Sequence, residues 1–196
     1  MSPFVNGALA LADGRILSWG HDHDLRLWSK DGDPLRTLEG HTDYVKGAFA
    51  LADGRILSWS GDHTLRLWSK DGDPLRTLEG HVNDVNGALV LADGRILSWS
   101  DDNTLRLWSK DGDSLHTLEG HTDAVVTVAW SPDGKQVLTG SYDSSVQVWD
   151  ANSGKPVRNI NCGNHVAAVA WNPKNAHEIA IAISASSGVH SANTVS

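Results

Sequence analysis

One forty-residue segment occurs three times in succession in this chain, from Val5 to Tyr44, from Val45 to Asp84 and from Val85 to Ala124, and a drifted fourth copy starts at Val125. The first two copies agree at 32 of 40 positions and the second and third at 30 of 40, so neighbouring units must share one structure. With a period of this length each repeat is one supersecondary unit, able to hide its apolar faces only against its neighbours. Near-equal units in an array argue against a single active site.

Within the second copy, an apolar stretch from Val45 to Leu51 stops at Asp53-Gly54, a dipeptide suited to a tight hairpin. Ile56 to Trp59 then runs into Gly61-Asp62-His63, Leu65 to Trp68 ends at Asp71-Gly72-Asp73-Pro74, and Leu75 to Leu78 follows. Four short strands parted by Gly, Asp and Pro predict an antiparallel meander without a helix. Side chains alternate along a strand, so Leu57 and Trp59 oppose Ile56 and Ser58, while Leu65 and Leu67 oppose Arg66 and Trp68. Both faces carry large apolar groups, which predicts that each sheet is covered on both sides by further sheets stacked around an axis.

A net charge of -8 lacks the clustered cations that nucleic acid requires. No apolar run approaches the roughly 20 residues that span a bilayer, and no basic-then-apolar leader opens the chain. Cys162 is the single cysteine, so no intrachain disulfide can form. The expectation is a soluble, cytoplasmic chain that binds neither nucleic acid nor membrane.

Three motifs recur in phase. Gly40-His41, Gly80-His81 and Gly120-His121 precede a first strand; Asp22, Asp62, Asp102 and Asp143 occupy the second turn; Trp28, Trp68, Trp108 and Trp149 close the third strand. Over its whole length the chain resembles the Trp-Asp (WD) repeat family, and its near-identical blades are similar to those of bacterial WD proteins that amplified one blade recently. The resemblance implies an all-β fold: a WD-repeat β-propeller segment of four four-stranded antiparallel blades, about 1–40, 41–80, 81–120 and 121–161, plus a partial fifth over 162–196. It also implies buried networks of a histidine, a strand-two hydroxyl, the turn aspartate and the closing Trp. These would be His41-Ser58-Asp62-Trp68, His81-Ser98-Asp102-Trp108 and His121-Thr139-Asp143-Trp149, with Ser18, Asp22 and Trp28 as an incomplete first set because Met1 stands in the histidine register.

The copies depart from the family pattern in two ways. Only Trp149-Asp150 spells the signature dipeptide, against Trp28-Ser29, Trp68-Ser69 and Trp108-Ser109, and Trp19, Trp59 and Trp99 stand where the fourth copy has Gly140. These extra indoles are expected to fill interfaces between blades. His165 to Ser184 supplies two strands of the fifth unit, with Cys162 in the histidine register, Ser184 to Gly188 where the turn Asp belongs, and no fourth strand. Such a chain is a fragment of a longer propeller, associates with a second copy to complete a ring, or closes as a strained four-blade ring; the first two are favoured.

Ser, His and Asp within one repeat resemble a hydrolase triad. Their recurrence in adjacent sheets instead predicts a structural motif, and no enzyme, cofactor or metal is expected. His21-Asp22-His23-Asp24 is a dense ligand-like run, but Asp22 belongs to its network register and too few ligands converge for zinc. The Asp31-Gly32-Asp33 turns and their copies lack the further oxygen ligands of a calcium loop.

Where the three close copies differ carries the functional signal. Twelve of forty positions vary, and seven of the twelve fall at 20, 21, 23, 24 and 42 to 44 and their equivalents. The resemblance implies that both segments open on one rim, comprising His21, His23, Asp24, Thr42, Asp43, Tyr44, His63, Val82, Asn83, Asp84, Asp101, Asn103 and Tyr142. The expected function is a non-catalytic scaffold offering this rim to other proteins, with Tyr44 as its strongest anchor. The alternatives are a purely architectural segment that assembles only with its own kind, and a ligand receptor or enzyme in a central channel.

Overall fold

The computed structural model describes residues 4–91, 93–184 and 191–195, and the regular elements among them are all β-strands. The first copy forms β1 (Val5–Ala10), β2 (Ile16–Gly20), β3 (Leu25–Trp28) and β4 (Pro34–Leu38); the second forms β5 (Val45–Ala50), β6 (Ile56–Ser60), β7 (Leu65–Trp68) and β8 (Pro74–Leu78). The third contains β9 (Val85–Val90), β10 (Ile96–Ser100), β11 (Leu105–Trp108) and β12 (Ser114–Leu118), and the fourth β13 (Val125–Trp130), β14 (Gln136–Ser141), β15 (Ser145–Asp150) and β16 (Pro156–Asn161). Each set is one four-stranded meander in chain order, the four-bladed arrangement expected from the sequence. The partial fifth sheet comprises β17 (Val166–Asn172), β18 (Asn175–Ile183) and β19 (Ser191–Val195), so a third strand joins the two read from the sequence. Met1, and residues 185–188 of the fifth-sheet turn, lie outside the described residues.

The chain divides into two compact units, Met1–Ala88 with Asp111–Asp113, and Leu89–Lys110 with Ser114–Ser196. In the first unit, Leu17, Leu25, Leu27 and Leu38 of blade one bury against Val45, Ala48, Ile56 and Trp68 of blade two. In the second, Leu97, Leu105, Leu107 and Leu118 meet Val125, Val137 and Trp149, while Leu138, Val146 and Val148 meet Val166, Val169, Ile179 and Ile181 of the fifth sheet. The two-period alternation does in blade two what the sequence implied: Ile56 and Trp68 on one face and Leu57, Leu65 and Leu67 on the other are all buried.

Two irregularities recur with the repeat. The register shifts near the start of β1, β5, β13 and β17, and again between β3 and β4, β7 and β8, β11 and β12, and β15 and β16. The second shift leaves one extra residue on the outer strand. Those residues, Leu35, Leu75, Leu115 and Val157, are exposed.

The extra indoles have a partner of complementary size. Gly7 and Gly47 lie directly across from Trp19 and Trp59, and a Cβ on either glycine would collide with the indole. The fourth copy reverses the pair, setting Gly140 opposite Thr127 and filling the space with Val166. The Trp19 class thus packs first over its own sheet.

Candidate functional site

The second network assembles within one unit. β6 places Ser58 and β7 places Trp68 on one face of two adjacent, paired strands, and the turn between them carries Asp62 back over the Gly40-His41 loop. Trp68 Nε1 donates to Ser58 Oγ at 2.9 Å, His41 Nε2 lies 2.8 Å from the same oxygen, and His41 Nδ1 lies 2.8 Å from Asp62 Oδ2. Because the indole can only donate, the serine proton is left for Nε2, and Nδ1–H then donates to the carboxylate. Thr42 N adds a bond to Asp62 Oδ2, and Thr64 N and Oγ1 donate to Oδ1. Burial works to raise the Asp62 carboxyl, but the donors from His41, Thr64 and Thr42 prevail and hold it well below the usual carboxylate range. Gly40 has a positive φ of 152°, which favours glycine, and a Cβ there would also stand 2.6 Å from Arg66 Nη1.

The fourth copy reproduces the arrangement with a threonine. Trp149 Nε1 donates to Thr139 Oγ1 at 2.9 Å, and His121 lies 2.8 Å from both Thr139 Oγ1 and Asp143 Oδ2. Burial pushes the His121 imidazole down despite the opposing pull of Asp143. Asp143 feels burial upward, yet Ser145, Thr122 and His121 hold its carboxyl below the ordinary value. In the third set, Trp108 donates to Ser98 at 2.9 Å and Asp102 Oδ1 accepts from Thr104 N and Oγ1, while His81 is buried in the other unit.

The first set departs from its register. Trp28 Nε1 still donates to Ser18 Oγ at 2.8 Å, but Asp22 Oδ2 pairs with Arg26 at 2.6 Å, and that bond holds its carboxyl below the usual range. Arg26 also reaches Asp24 at 3.5 Å, whose carboxyl burial pushes up. The His21 to Asp24 run therefore splits. Its carboxylates turn to one guanidinium, and His21 stacks on Tyr44 with ring centroids 5.1 Å apart.

Two replacements missed by sequence reasoning explain the departures. Ile181 occupies the hydroxyl register of the fifth sheet, buried against blade four, so an imidazole there would lack its partner; Cys162 in the histidine register is compatible with that apolar site. Ser29 Oγ accepts from Asp31 N and Asp33 N, Ser69 Oγ from Asp71 N and Asp73 N, and Asp150 Oδ1 from Asn152 N and Ser153 N. Serine and aspartate after the Trp thus do one job, capping the third turn.

Arginines also recur in a role the sequence reading did not draw. In the first unit, Arg15 donates to Lys70 O at 2.8 Å, Arg36 pairs with Asp73 at 2.7 Å, and Arg76 with Asp113 at 2.7 Å. In the second, Arg95 donates to Ala151 O at 2.8 Å. Arg15 and Arg95 tie the first turn of one blade, and Arg36 and Arg76 its fourth strand, to the third turn of the next. The signal was a fixed offset of 56 residues, from Arg15 to Asp71 and from Arg55 to Asp111.

The two variable loop segments are brought together. Gly61 N donates to Tyr44 O at 3.1 Å, Ser60 Oγ to Asp43 O at 2.9 Å, and Asp84 pairs with Lys46 at 2.7 Å with His63 4.0 Å away. His21, Thr42, Tyr44, Val82 and Asn83 are exposed, while His23, Asp24, Asp43, His63 and Asp84 are half-buried. In the second unit Asp101 and Asn103 are half-buried, and Tyr142, exposed, packs on His165, which donates through Nδ1 to Tyr142 O. Phe4, 5.8 Å from His21 by ring centroid, and His165 extend the aromatic groups beyond those read from sequence. One variable position is restricted: His23, His63, Asn103 and Ser144 all have positive φ near 70°, which asparagine tolerates best of the four.

No hydrolytic arrangement emerges in blade two, where Ser58 and His41 are buried and the serine oxygen is already engaged by the indole. Repeated meanders pinned by these networks define a repeat protein of the propeller-blade class. The family model "WD domain, G-beta repeat" matches residues 32–69, 72–109 and 112–150, and the chain belongs to this family. Among curated proteins, the chain is similar to protein tipD of Dictyostelium discoideum, at 41% identity over 49 residues covering 23% of this chain and 8% of that protein. It is also similar to Cell division cycle 20.1, cofactor of APC complex, of Arabidopsis thaliana, at 38% over 50 residues, 24% of this chain and 11% of that one. Human ribosome biogenesis protein BOP1 matches at 39% over 54 residues, 28% of this chain and 7% of that one. The WD40 β-propeller domain of Doa1 superposes with a TM-score of 0.68 at 26% identity, over 87% of this chain and 58% of that chain. The matched stretches are thus a small part of the curated relatives and little more than half of the solved propeller.

Proposed function

We propose that this chain is a non-catalytic platform that binds other proteins through the rim formed by its second turns and its fourth-to-first-strand loops. The observation that carries the reading is the concentration of sequence differences, seven of twelve varying positions, in those two segments. Tyr44 and Tyr142, 42% and 49% exposed and each packed on a histidine, supply amphipathic, conformationally restrained anchors. Family membership supports it further: the Arabidopsis relative is described as a cofactor of the APC complex and a yeast relative, SWD1, as a COMPASS component. The partners are proteins rather than nucleic acid or membrane, in keeping with the charge of -8, and the setting is cytoplasmic, in keeping with the lone Cys162.

The test compares affinity capture by the wild-type chain and by the Tyr44→Ala/Tyr142→Ala double variant, each with its melting curve. Loss of captured proteins with an unchanged melt is expected. Retention of every captured protein overturns the platform and favours the architectural alternative.

A further inference from the structure

The charges of the repeat are divided between its loops. The second turns and the fourth-to-first-strand loops, 20–24 and 39–44 with their equivalents in the later copies, hold 12 of the chain's 24 acidic residues and none of its 16 lysines and arginines. Twelve of those cations stand instead at the first and third turns and on the fourth strands, among the other aspartates. The segments that vary between copies are therefore also the acidic ones.

In the first unit two of these carboxylates meet. Gly61 is buried, its N–H bound to Tyr44 O at 3.1 Å, and a Cβ on it would stand 3.3 Å from Asp43 Oδ2 and 3.5 Å from Asp84 Oδ2. The lack of a side chain lets both carboxylates close over the same stretch of backbone, where the first copy has His21 and the third Asp101. Lys46 Nζ pairs with Asp84 at 2.7 Å, and Asp43 has no ion pair among the described residues. Two carboxylates drawn together beside one ammonium leave one negative charge uncompensated. A second feature adjoins them. Tyr44, next to Asp43 in the chain, is 42% exposed and stacks on His21. A ring face beside a carboxylate suits a guanidinium, which stacks on the one while donating to the other.

We propose that the partner of this surface is a basic polypeptide segment, one of whose arginines seats on Asp43 and Asp84 above Gly61 with its guanidinium against Tyr44. The inference rests on the platform reading and adds the chemistry of the partner. Lys46 holds Asp84 in place for the incoming cation, and the acidic loops around the seat draw further cations of the segment toward it. The same surface repels an acidic segment.

The probe is an acetylated and amidated peptide, Gly-Arg-Gly-Arg-Gly-Arg-Gly, titrated calorimetrically into the intact chain at about 0.15 M salt. Its counterpart with citrulline for arginine keeps the shape and loses the charge. Saturable binding of the arginine peptide is expected, at least about tenfold weaker for the citrulline peptide and for the Asp43→Asn/Asp84→Asn chain. Asparagine keeps the Oδ1 acceptor that Asp43 offers to Tyr44 N, and the citrulline comparison leaves the protein untouched, so a folding defect cannot mimic both results. Asp31→Asn/Asp33→Asn removes the same charge from exposed third-turn positions of the same unit and is expected to change the affinity by less than about twofold. Equal weakening by the two double variants, equal binding of the citrulline peptide, or no saturable binding at millimolar concentration overturns the proposal. Its failure is separable from that of the platform. Where Tyr44→Ala/Tyr142→Ala loses its captured proteins and Asp43→Asn/Asp84→Asn keeps every one, the platform stands and the basic partner falls.

Discussion

At the scale of single residues, the networks of blades two and four are stabilising because the buried imidazole, hydroxyl and indole each have a partner. The indole must donate, so the hydroxyl must accept and pass its own proton on. Asp62→Ala removes the acceptor for His41, Thr42 and Thr64, and is expected to cost about 1–3 kcal/mol, read from chemical denaturation. Thr139→Val, which keeps the side-chain shape, strands Trp149 Nε1 and His121 Nε2 together and is expected to cost a similar amount. Acid weakens the fold in two stages. His121 is depressed in the folded state, so the unfolded chain binds more protons below its own value of about 6.5 and stability falls as pH drops through that point. Asp62 and Asp143 are also depressed, so their contribution is complete above an unfolded value of about 3.9 and is lost below it. Melting temperature measured from pH 8 to pH 3 should therefore be level above about pH 7, decline toward pH 5 and fall again below pH 4. In His121→Asn the first decline is expected to shrink.

At the scale of the element, each blade balances the volumes that face each other across its inner strands. Gly47 and Trp59 are one such pair, and Gly140 with Thr127 is its inverse. Gly47→Ala forces the Trp59 indole aside and is expected to cost about 1–3 kcal/mol, whereas the same substitution at Gly32, which has open space around its Cβ position, tests only the turn. The second turn holds a non-glycine residue in the left-handed region in every complete blade. His63→Gly relieves that conformation and is expected to raise the melting temperature if its imidazole contributes little to the fold, a comparison that His63→Asn refines. Loop variation in this protein is thus not free: the frame allows changes at position 23 and its equivalents only among residues that accept this backbone. The sequence showed where the turns lie, but the φ value that limits them was visible only in three dimensions.

At the scale of the whole molecule, the repeat keeps its frame and places seven of its twelve varying positions in two loop segments. That division of labour is what a recognition surface needs, because changes in exposed turns leave the buried sheets untouched. The ion pairs of Arg15, Arg36, Arg55 and Arg76 with aspartates of the next blade's third turn lie at the surface and are therefore modest in energy. Arg55→Ala is expected to change stability by no more than about 1 kcal/mol, and its effect should fade as salt is raised in parallel denaturation curves. The double tyrosine variant should abolish capture of partners at an unchanged melt, which separates recognition from folding at this scale.

The amino-acid sequence alone determined the forty-residue period, the four meanders and the positions of their turns, while the His, hydroxyl, Asp and Trp sets were implied by the family resemblance. Those features are local or strictly periodic: turn residues act through the backbone of their neighbours, and side-chain alternation follows from the pleat. The third strand of the fifth sheet, the turn of Asp22 toward Arg26, the loss of the hydroxyl at Ile181 and the capping by Ser29 and Ser69 were decided by tertiary structure. Each depends on which atoms come within about 3 Å of one another after the sheets have formed. A repeat states which residue types recur, but only folded geometry shows whether a given copy finds the partner that its sister copies have.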